Sequence, residues 1–275
     1  MWSKFSMMNL NKLLQNAIHA SLLAGVEIMK VYISDDFEVT TKHDLSPVTR
    51  ADIAASNIII AQLQTTNIPI ICEETAEVPY EERKTWNRVW IVDPIDGTKD
   101  FIKKNGEFTV NIALIENQEP ILGVIYVPVD DTLYFGTHEL GAYCIQNIST
   151  QISEFTTDEL LRHAIQLPYI QEQSEFNIVA SRSHRSTETD IFIAELQKQH
   201  SNAHIISVGS SLKFCLIASG RAQIYPRFEH LSEWDIAAGD AIARASGCTS
   251  KHALTQKSLL YNKETLASEY FIISR

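Results

Sequence analysis

The chain has 275 residues, 45% hydrophobic and 21% charged, enough to bury a sizeable core in one large or two modest domains. Its formal net charge of −11 argues against binding nucleic acid or an acidic membrane, since both require a basic face to neutralise phosphates. Cys72, Cys144, Cys215 and Cys248 form no CxxC pair and no dense framework, so reduced, partly buried thiols are expected.

In chain order, Leu10, Leu13, Leu14, Ala17, Ile18, Leu22, Gly25, Ile28 and Met29 recur at helical spacing and predict an amphipathic helix over 9–33, packed on the core. No apolar run approaches the roughly 18 residues of a membrane span, and Met1 to Asn11 lacks the basic start and apolar centre of a signal peptide, so a cytoplasmic protein is expected. A short strand is expected over 38–42 and a second helix over 49–63, with Asp52 in its first turn. Ile68-Pro69-Ile70-Ile71-Cys72 is a short apolar run that ends in Glu73 and Glu74. Val89-Trp90-Ile91-Val92 reads as a buried strand that stops at Asp93 and Asp96, with Pro94 and Gly97 marking a tight turn. Both acids are thus expected to leave the sheet at its rim.

Residues 108–115 and 120–128, joined through Asn117-Gln118, predict antiparallel strands of a large sheet, extended by 133–135 and 141–145. The polar interval 147–173 has weak periodicity and is expected to hold a domain crossing. After it, strand signals at 177–181, 204–208, 221–225 and 269–273 alternate with helical ones at 187–199, 211–218 and 235–245, which predicts an α/β second half. No internal repeat or low-complexity tract interrupts the pattern.

The acids carry the chemistry. A lone Asp-x-x-Asp-Gly is more often a polar turn capping a helix, and Asp235 alone reads as an acid favoured by the helix dipole. Strand-end Glu73, strand-end Asp93 and Asp96 and helix-start Asp235 in one chain are a different matter. Carboxylate oxygens are the ligands hard divalent cations prefer, and together these acids could supply two adjacent ions. Clustered cations would also answer the repulsion between an anionic substrate and a net-acidic protein.

Glu73-Glu74, Asp93-Pro94-Ile95-Asp96-Gly97-Thr98 and Trp234-Asp235-Ile236-Ala237-Ala238-Gly239 resemble the three signatures of the lithium-sensitive, Mg²⁺-dependent inositol monophosphatase superfamily of sugar and nucleotide phosphatases. Lys99-Asp100-Phe101-Ile102, Gly106-Glu107-Phe108-Thr109-Val110-Asn111, Ser181-Arg182-Ser183-His184, Gly209-Ser210-Ser211-Leu212-Lys213 and Tyr225-Pro226-Arg227-Phe228 resemble its CysQ-type 3′(2′),5′-bisphosphate nucleotidases. Two places depart from the pattern: Cys72, where a small Gly or Ser is expected, and the loop 229–233, which usually carries Gly, Pro and Thr.

The resemblance implies a layered αβαβα sandwich of the inositol monophosphatase and fructose-1,6-bisphosphatase type, with an N-terminal metal-binding half over 1–160 and a C-terminal recognition half over 161–275. It implies that Asp93 bridges two Mg²⁺ ions, with Glu73 and the carbonyl of Ile95 completing the first site and Asp96 and Asp235 the second. Glu73 and Thr98 would orient and deprotonate the attacking water, with Asp52 as a proton acceptor or support for a third ion. Glu73, Ile95, Asp96, Gly97, Thr98 and Asp235 would also touch the substrate, the helix start at Gly97-Thr98 presenting N–H groups to phosphate. His184, Ser210, Lys213 and Arg227 would hold the nucleoside and its second phosphate. Implied too are a small nucleotide bisphosphate as partner, a place in sulfur metabolism, and room for a homodimer and for peripheral attachment at the cytoplasmic side of the inner membrane.

Three functions follow. The first is removal of the 3′-phosphate of adenosine 3′,5′-bisphosphate, and of its phosphosulfate analogue, to leave AMP in the first case. The second is inositol-1-monophosphate hydrolysis, which would not need two cations in the recognition half. The third, a non-catalytic Ca²⁺ module, fits poorly. Counted from Asp93 as an EF-hand loop, position 6 is Thr98 instead of Gly and position 12 is Lys104 instead of Glu.

Overall fold

A computed structural model describes residues 4–34, 36–41, 46–75, 77–151, 155–170, 175–182 and 185–275. The chain opens with α1 (Lys4–Ser34), β1 (Thr40–Thr41), β2 (Pro47–Val48), α2 (Arg50–Leu63), β3 (Ile70–Cys72), α3 (Tyr80–Arg83), β4 (Arg88–Asp96) and α4 (Thr98–Ile102). It continues with β5 (Thr109–Glu116), β6 (Glu119–Val127), β7 (Thr132–Thr137), β8 (Gly141–Gln146), α5 (Ile148–Gln151), α6 (Thr157–His163) and β9 (Ile165–Gln166). The remainder is β10 (Phe176–Ala180), α7 (Thr187–Gln199), β11 (Ala203–Ser207), α8 (Leu212–Ala218), β12 (Ile224–Arg227), α9 (Glu233–Ala245), β13 (Thr249–His252) and β14 (Phe271–Ser274).

A seven-stranded sheet has the order β3-β4-β5-β6-β7-β8-β9, antiparallel except for the β3–β4 pair. A five-stranded sheet has the order β11-β10-β12-β14-β13. Strand alternation assigns the layers. On β4, Trp90 and Val92 enter one core with Leu14, Ile18 and Ile59 of α1 and α2, while Val89 and Ile91 enter another with Phe214 of α8 and Ile236 and Ile242 of α9. That second core also receives Tyr225 and Phe271 of the five-stranded sheet, whose other face packs Ile178 and Ile224 against Ile193 of α7. The result is α1/α2, sheet, α8/α9, sheet, α7: the expected five-layer sandwich.

By length and composition α1 could cross a membrane, with a mean hydropathy of 1.3 within Leu10–Ser34. Leu14, Ala17, Ile18, Ala24 and Ile28 are nonetheless fully buried in the core, so its apolar face is already covered.

Most expected elements stand within a few residues of their place. The polar interval is more ordered than its weak periodicity suggests. Within it, α6 starts from a capping box in which Thr156 Oγ1 accepts from the Glu159 N–H and the Glu159 carboxylate accepts from the Thr156 N–H. Next, β9 pairs with β8, so the first sheet extends to Gln166, beyond the boundary expected at 160/161. The strand expected over 38–42 is reduced to β1, and Lys42 lies outside the described residues. Unforeseen was β13, Thr-Ser-Lys-His, which lacks apolar alternation because it is an edge strand with solvent on one side.

The contact that joins the layers is α9 against β6. A Cβ on Gly123 would collide with the carbonyl oxygen of Ala238 and lie 2.9 Å from the Ala241 Cβ, so helix and strand meet with no room for a side chain. Gly123→Ala should therefore push α9 off the sheet and cost about 1–3 kcal/mol, as overpacking does. Urea denaturation should show a lower midpoint with an unchanged slope. An unaltered midpoint would mean that α9 slides freely over β6.

Candidate active site

The site forms where β4 breaks its own alternation. A strand sends residues i and i+2 to one face, so Asp93 and Asp96, three apart, should diverge. Asp93 stands opposite Asn111 and Asp96 opposite Thr109, so three steps on β4 answer two on β5. The extra residue makes a bulge, a place in a sheet where a proline such as Pro94 is tolerated, and brings the second acid back beside the first. The expectation that both acids leave the sheet at its rim is thus corrected: β4 runs through Asp96, and Asp93 is 1% exposed.

Asp235 comes from the other end of the chain. It is the third residue of α9, and its Oδ2 accepts from the Ser232 N–H at 2.8 Å in a capping box that fixes the helix start. Oxygens of Asp93, Asp96 and Asp235 lie within 4.8 Å of one another. Glu73 directly follows β3, where its N–H donates to the Val92 carbonyl at 3.2 Å, and its carboxyl hydrogen-bonds to Asp93.

Crowding of like charges in a buried place shows in the acidities. Asp93 is held well above the ordinary carboxylate range, first by burial and then by the charges of Glu73, Asp96 and Asp235. Burial leads again for Asp235, raised to about 8 with Asp96 as the next cause, and for Asp96, raised to about 6 against the pull of Lys213. Asp52 is raised by burial too, although it accepts from the Thr49 N–H at 2.8 Å, the Thr49 hydroxyl at 2.6 Å and the Thr98 hydroxyl at 3.1 Å. The same Thr98 oxygen lies 3.3 Å from the Ile95 carbonyl. Four carboxyl groups that repel one another in a cleft are a donor set suited to a hard divalent cation, and Mg²⁺ fits it.

These groups open on a cleft of about 930 Å³ that Lys213 and Arg227 also line. Lys213 Nζ donates to the carbonyls of Ser210 at 2.6 Å and Val208 at 3.4 Å, and burial draws its ammonium down to about 8. Arg227 is 7% exposed and its Nη2 lies 3.2 Å from Glu229 Oε2. Glu107 fastens the rim, accepting from Arg182 Nη2 at 2.6 Å and the Gly209 N–H at 2.7 Å.

Residues 9–273 match the inositol monophosphatase family. The chain belongs to that family. It is 44% identical over 227 residues to the 3′(2′),5′-bisphosphate nucleotidase CysQ of Salmonella typhimurium, covering 82% of this chain and 84% of the relative. The crystal structure of CysQ from Bacteroides thetaiotaomicron superposes with a TM-score of 0.89 at 45% identity, over 96% of this chain and 97% of that one. An inositol monophosphatase from Anabaena shares the fold, with a TM-score of 0.70 at 23% identity over 97% and 91% of the two chains. The family is Mg²⁺-dependent, and the acidic cluster is a place where this member could hold its metal.

Of the residues expected at the site, Glu73, Asp96, Gly97, Thr98, Ser210, Lys213, Arg227 and Asp235 line the cleft, with Asp93, Ile95 and Asp52 packed behind it. His184 lies outside the described residues. Asn111, a motif residue given no role by the sequence, has its Nδ2 3.4 Å from Asp96 Oδ2, and its Oδ1 accepts from the hydroxyls of Thr109 at 3.1 Å and Ser211 at 2.7 Å. Polar residues at alternate positions of an otherwise apolar strand, Thr109 and Asn111, were the available signal. Glu107 and Tyr225 were quoted as motif residues without a role, and both line or brace the cleft.

The raised aspartates set a pH dependence. An acid with a higher pKa in the fold than in the unfolded chain takes up protons on folding, so its stability is full below about 4 and is lost as pH rises through the folded value. With Asp96 at about 6 and Asp235 at about 8, the metal-free protein should lose stability between pH 4 and pH 8. Calorimetry in EDTA should show the Tm falling from pH 6 to pH 8, and Mg²⁺ should raise it more at pH 8 than at pH 6. A Mg²⁺ effect equal at both values would separate these acids from the metal.

Proposed function

We propose that this chain is a 3′(2′),5′-bisphosphate nucleotidase that removes the 3′-phosphate of adenosine 3′,5′-bisphosphate to give AMP, and that accepts 3′-phosphoadenosine 5′-phosphosulfate at the same site. The observation that carries the reading is a single cleft lined both by the carboxylate cluster and by two buried cations, Lys213 and Arg227. A substrate with two anionic groups uses both sets. Inositol monophosphate would use one. The identity to bisphosphate nucleotidases supports the same choice.

Asp93, Asp96 and Asp235, with Glu73 and the Ile95 carbonyl beside them, would hold two Mg²⁺ ions, with a third site available near Asp52. Bound there, Mg²⁺ neutralises charge on the entering and leaving oxygens of an in-line displacement. The protein's own part is positioning and proton transfer. Thr98 Oγ1 donates to Asp52, which leaves its lone pairs free to accept from an attacking water. As the water's proton moves to Thr98 Oγ1, the threonine's own proton can pass to Asp52 Oδ1, a carboxylate that burial makes more basic than usual. Gly97, at φ +97°, bends the chain so that Thr98 turns into the cleft, where a Cβ would come within 2.9 Å of the Glu107 carbonyl. Chemistry would thus lie mainly in the half over 1–160, with Asp235 contributed from 161–275, and recognition in the latter. We place the enzyme in the cytoplasm, where its four buried, unpaired cysteines would stay reduced.

Phosphate release in Mg²⁺ over a panel of nucleotide and sugar phosphates tests the function, and preference for inositol-1-phosphate over adenosine 3′,5′-bisphosphate would overturn it. Asp93→Asn should lower kcat on the order of a thousandfold or more with the fold intact. The amide can still accept from the Ile95 N–H at 3.0 Å, and the like-charge repulsion is relieved. Substantial turnover by a folded variant would rule out the metal assignment.

Arg227→Gln should cost adenosine 3′,5′-bisphosphate about 1.5–3 kcal/mol in kcat/KM, the worth of a charge-assisted hydrogen bond, while scarcely touching a substrate with one phosphate. Equal losses on both would place the arginine at the reaction centre or in the fold.

A further inference from the structure

Two hydroxyls in the cleft have no hydrogen-bond partner among the described residues: Ser210 Oγ and Tyr225 Oη, both sealed from solvent. Ser210 also holds φ at +45°, in the left-handed region that non-glycine residues seldom enter. Tyr225 is the more telling of the two. It is completely buried, and its ring is packed edge-on against Phe214 at 5.3 Å and Phe271 at 5.3 Å, so it has no freedom to turn elsewhere for a partner. A buried hydroxyl left without a hydrogen bond is a net cost to folding, and native structures keep few of them.

The surroundings say what the hydroxyl is for. Tyr225 and Arg227 are i and i+2 on β12, so both leave the sheet on the face that looks to the cleft, while Ile224 packs on the opposite face against α7. Lys213 Nζ lies 5.9 Å from the centre of the Tyr225 ring. The tyrosine therefore stands near both buried cations, within reach of the charges of Asp96 and Asp235 as well, with one proton to donate. Resting on the nucleotidase reading, we propose that Tyr225 is a further substrate-binding residue, whose hydroxyl donates to an oxygen of the phosphate held by Lys213 and Arg227. An anionic phosphate oxygen accepts such a bond better than water or a neutral carbonyl does.

Tyr225→Phe separates this role from a structural one, because binding and stability should move in opposite directions. AMP carries only the phosphate assigned to Lys213 and Arg227. Titrated calorimetrically in Mg²⁺, it should bind the variant about ten- to a hundredfold more weakly than wild type, the equivalent of one charge-assisted hydrogen bond. Inorganic phosphate titrated in EDTA, where the metal-free carboxylates repel it from their own site, should show the same loss. The Tm of the variant should equal or exceed that of wild type, since an unpartnered buried hydroxyl has been removed, and the Mg²⁺ response of Tm should be retained. Unchanged AMP and phosphate affinities would overturn the proposal. So would a lower Tm, a failure to fold, or a weakened Mg²⁺ response, each of which would give the hydroxyl a partner in the fold or at the metal. Should wild type ignore adenosine 3′,5′-bisphosphate, the nucleotidase reading falls on that result alone, and the phosphate titration still decides the role of Tyr225.

Discussion

Repulsion among Asp93, Asp96, Asp235 and Glu73 is the constraint around which the rest of the molecule is arranged. Carboxylates such as Asp93, Asp96 and Asp235, with oxygens inside 4.8 Å of one another, do not assemble unless the backbone leaves them no alternative. The backbone supplies three separate restraints. A bulge in β4 turns Asp96 to the side of Asp93, the β3–β4 pairing sets Glu73 beside them, and the capping box on α9 fixes Asp235. Each of these is anchored in a large apolar layer, so the strain is spread over packing that cannot yield at one point. The close contact of Gly123 with Ala238 has its meaning here: it is the contact that holds α9, and with it Asp235, against the sheet that carries the other acids.

The same crowding explains how a chain of charge −11 can receive a polyanion. At the acidic cluster a divalent cation would reverse the sign of the local field. Lys213 and Arg227 line the same cleft, Lys213 close enough to feel Asp96 and Asp235, with Arg182 on the rim. Burial of Lys213 pulls its ammonium down to about 8, and Asp96 pulls it back up. An anion arriving beside Lys213 favours the charged form in the same sense as Asp96 does. Recognition and reaction are therefore coupled electrostatically through Asp96, which influences both the metal cluster and the lysine.

Much of this was legible in the sequence, for reasons that can be stated residue by residue. The helix over 187–199 is found with the predicted bounds because Ser186 caps it and the apolar positions keep a helical period. Asp235 was legible as a helix-start acid, and Glu73 as the residue that ends a strand, because each obeys a local rule. What stayed hidden depends on register or on distance along the chain. The bulge that unites Asp93 with Asp96 exists only in the pairing of β4 with β5. The Thr109–Asn111–Ser211 cluster joins residues 102 positions apart, and nothing within one window joins Ser211 to Asn111. The edge strand β13 has no apolar face to announce it. The capping box at Thr156 and Glu159 was readable, and was lost only because the interval around it is polar throughout.

The two departures from the family pattern fall on opposite sides of the cleft, and they differ in kind. Cys72 is buried with its Sγ 3.3 Å from Ser56 Oγ, so the extra atoms are taken up against α2, and the Glu73 N–H still donates to the Val92 carbonyl. The reaction end is left as the motif requires. Glu229 is another matter, because it enters the cleft and lies against Arg227. An incoming group must compete with a carboxylate for that guanidinium. A phosphate has the charge and the geometry to do so, whereas a hydroxyl offers neither. Variation at Glu229 would thus act on Arg227, whereas variation three residues on, at Ser232, would reach Asp235 through its capping box, so one short loop touches both sides of the site's chemistry.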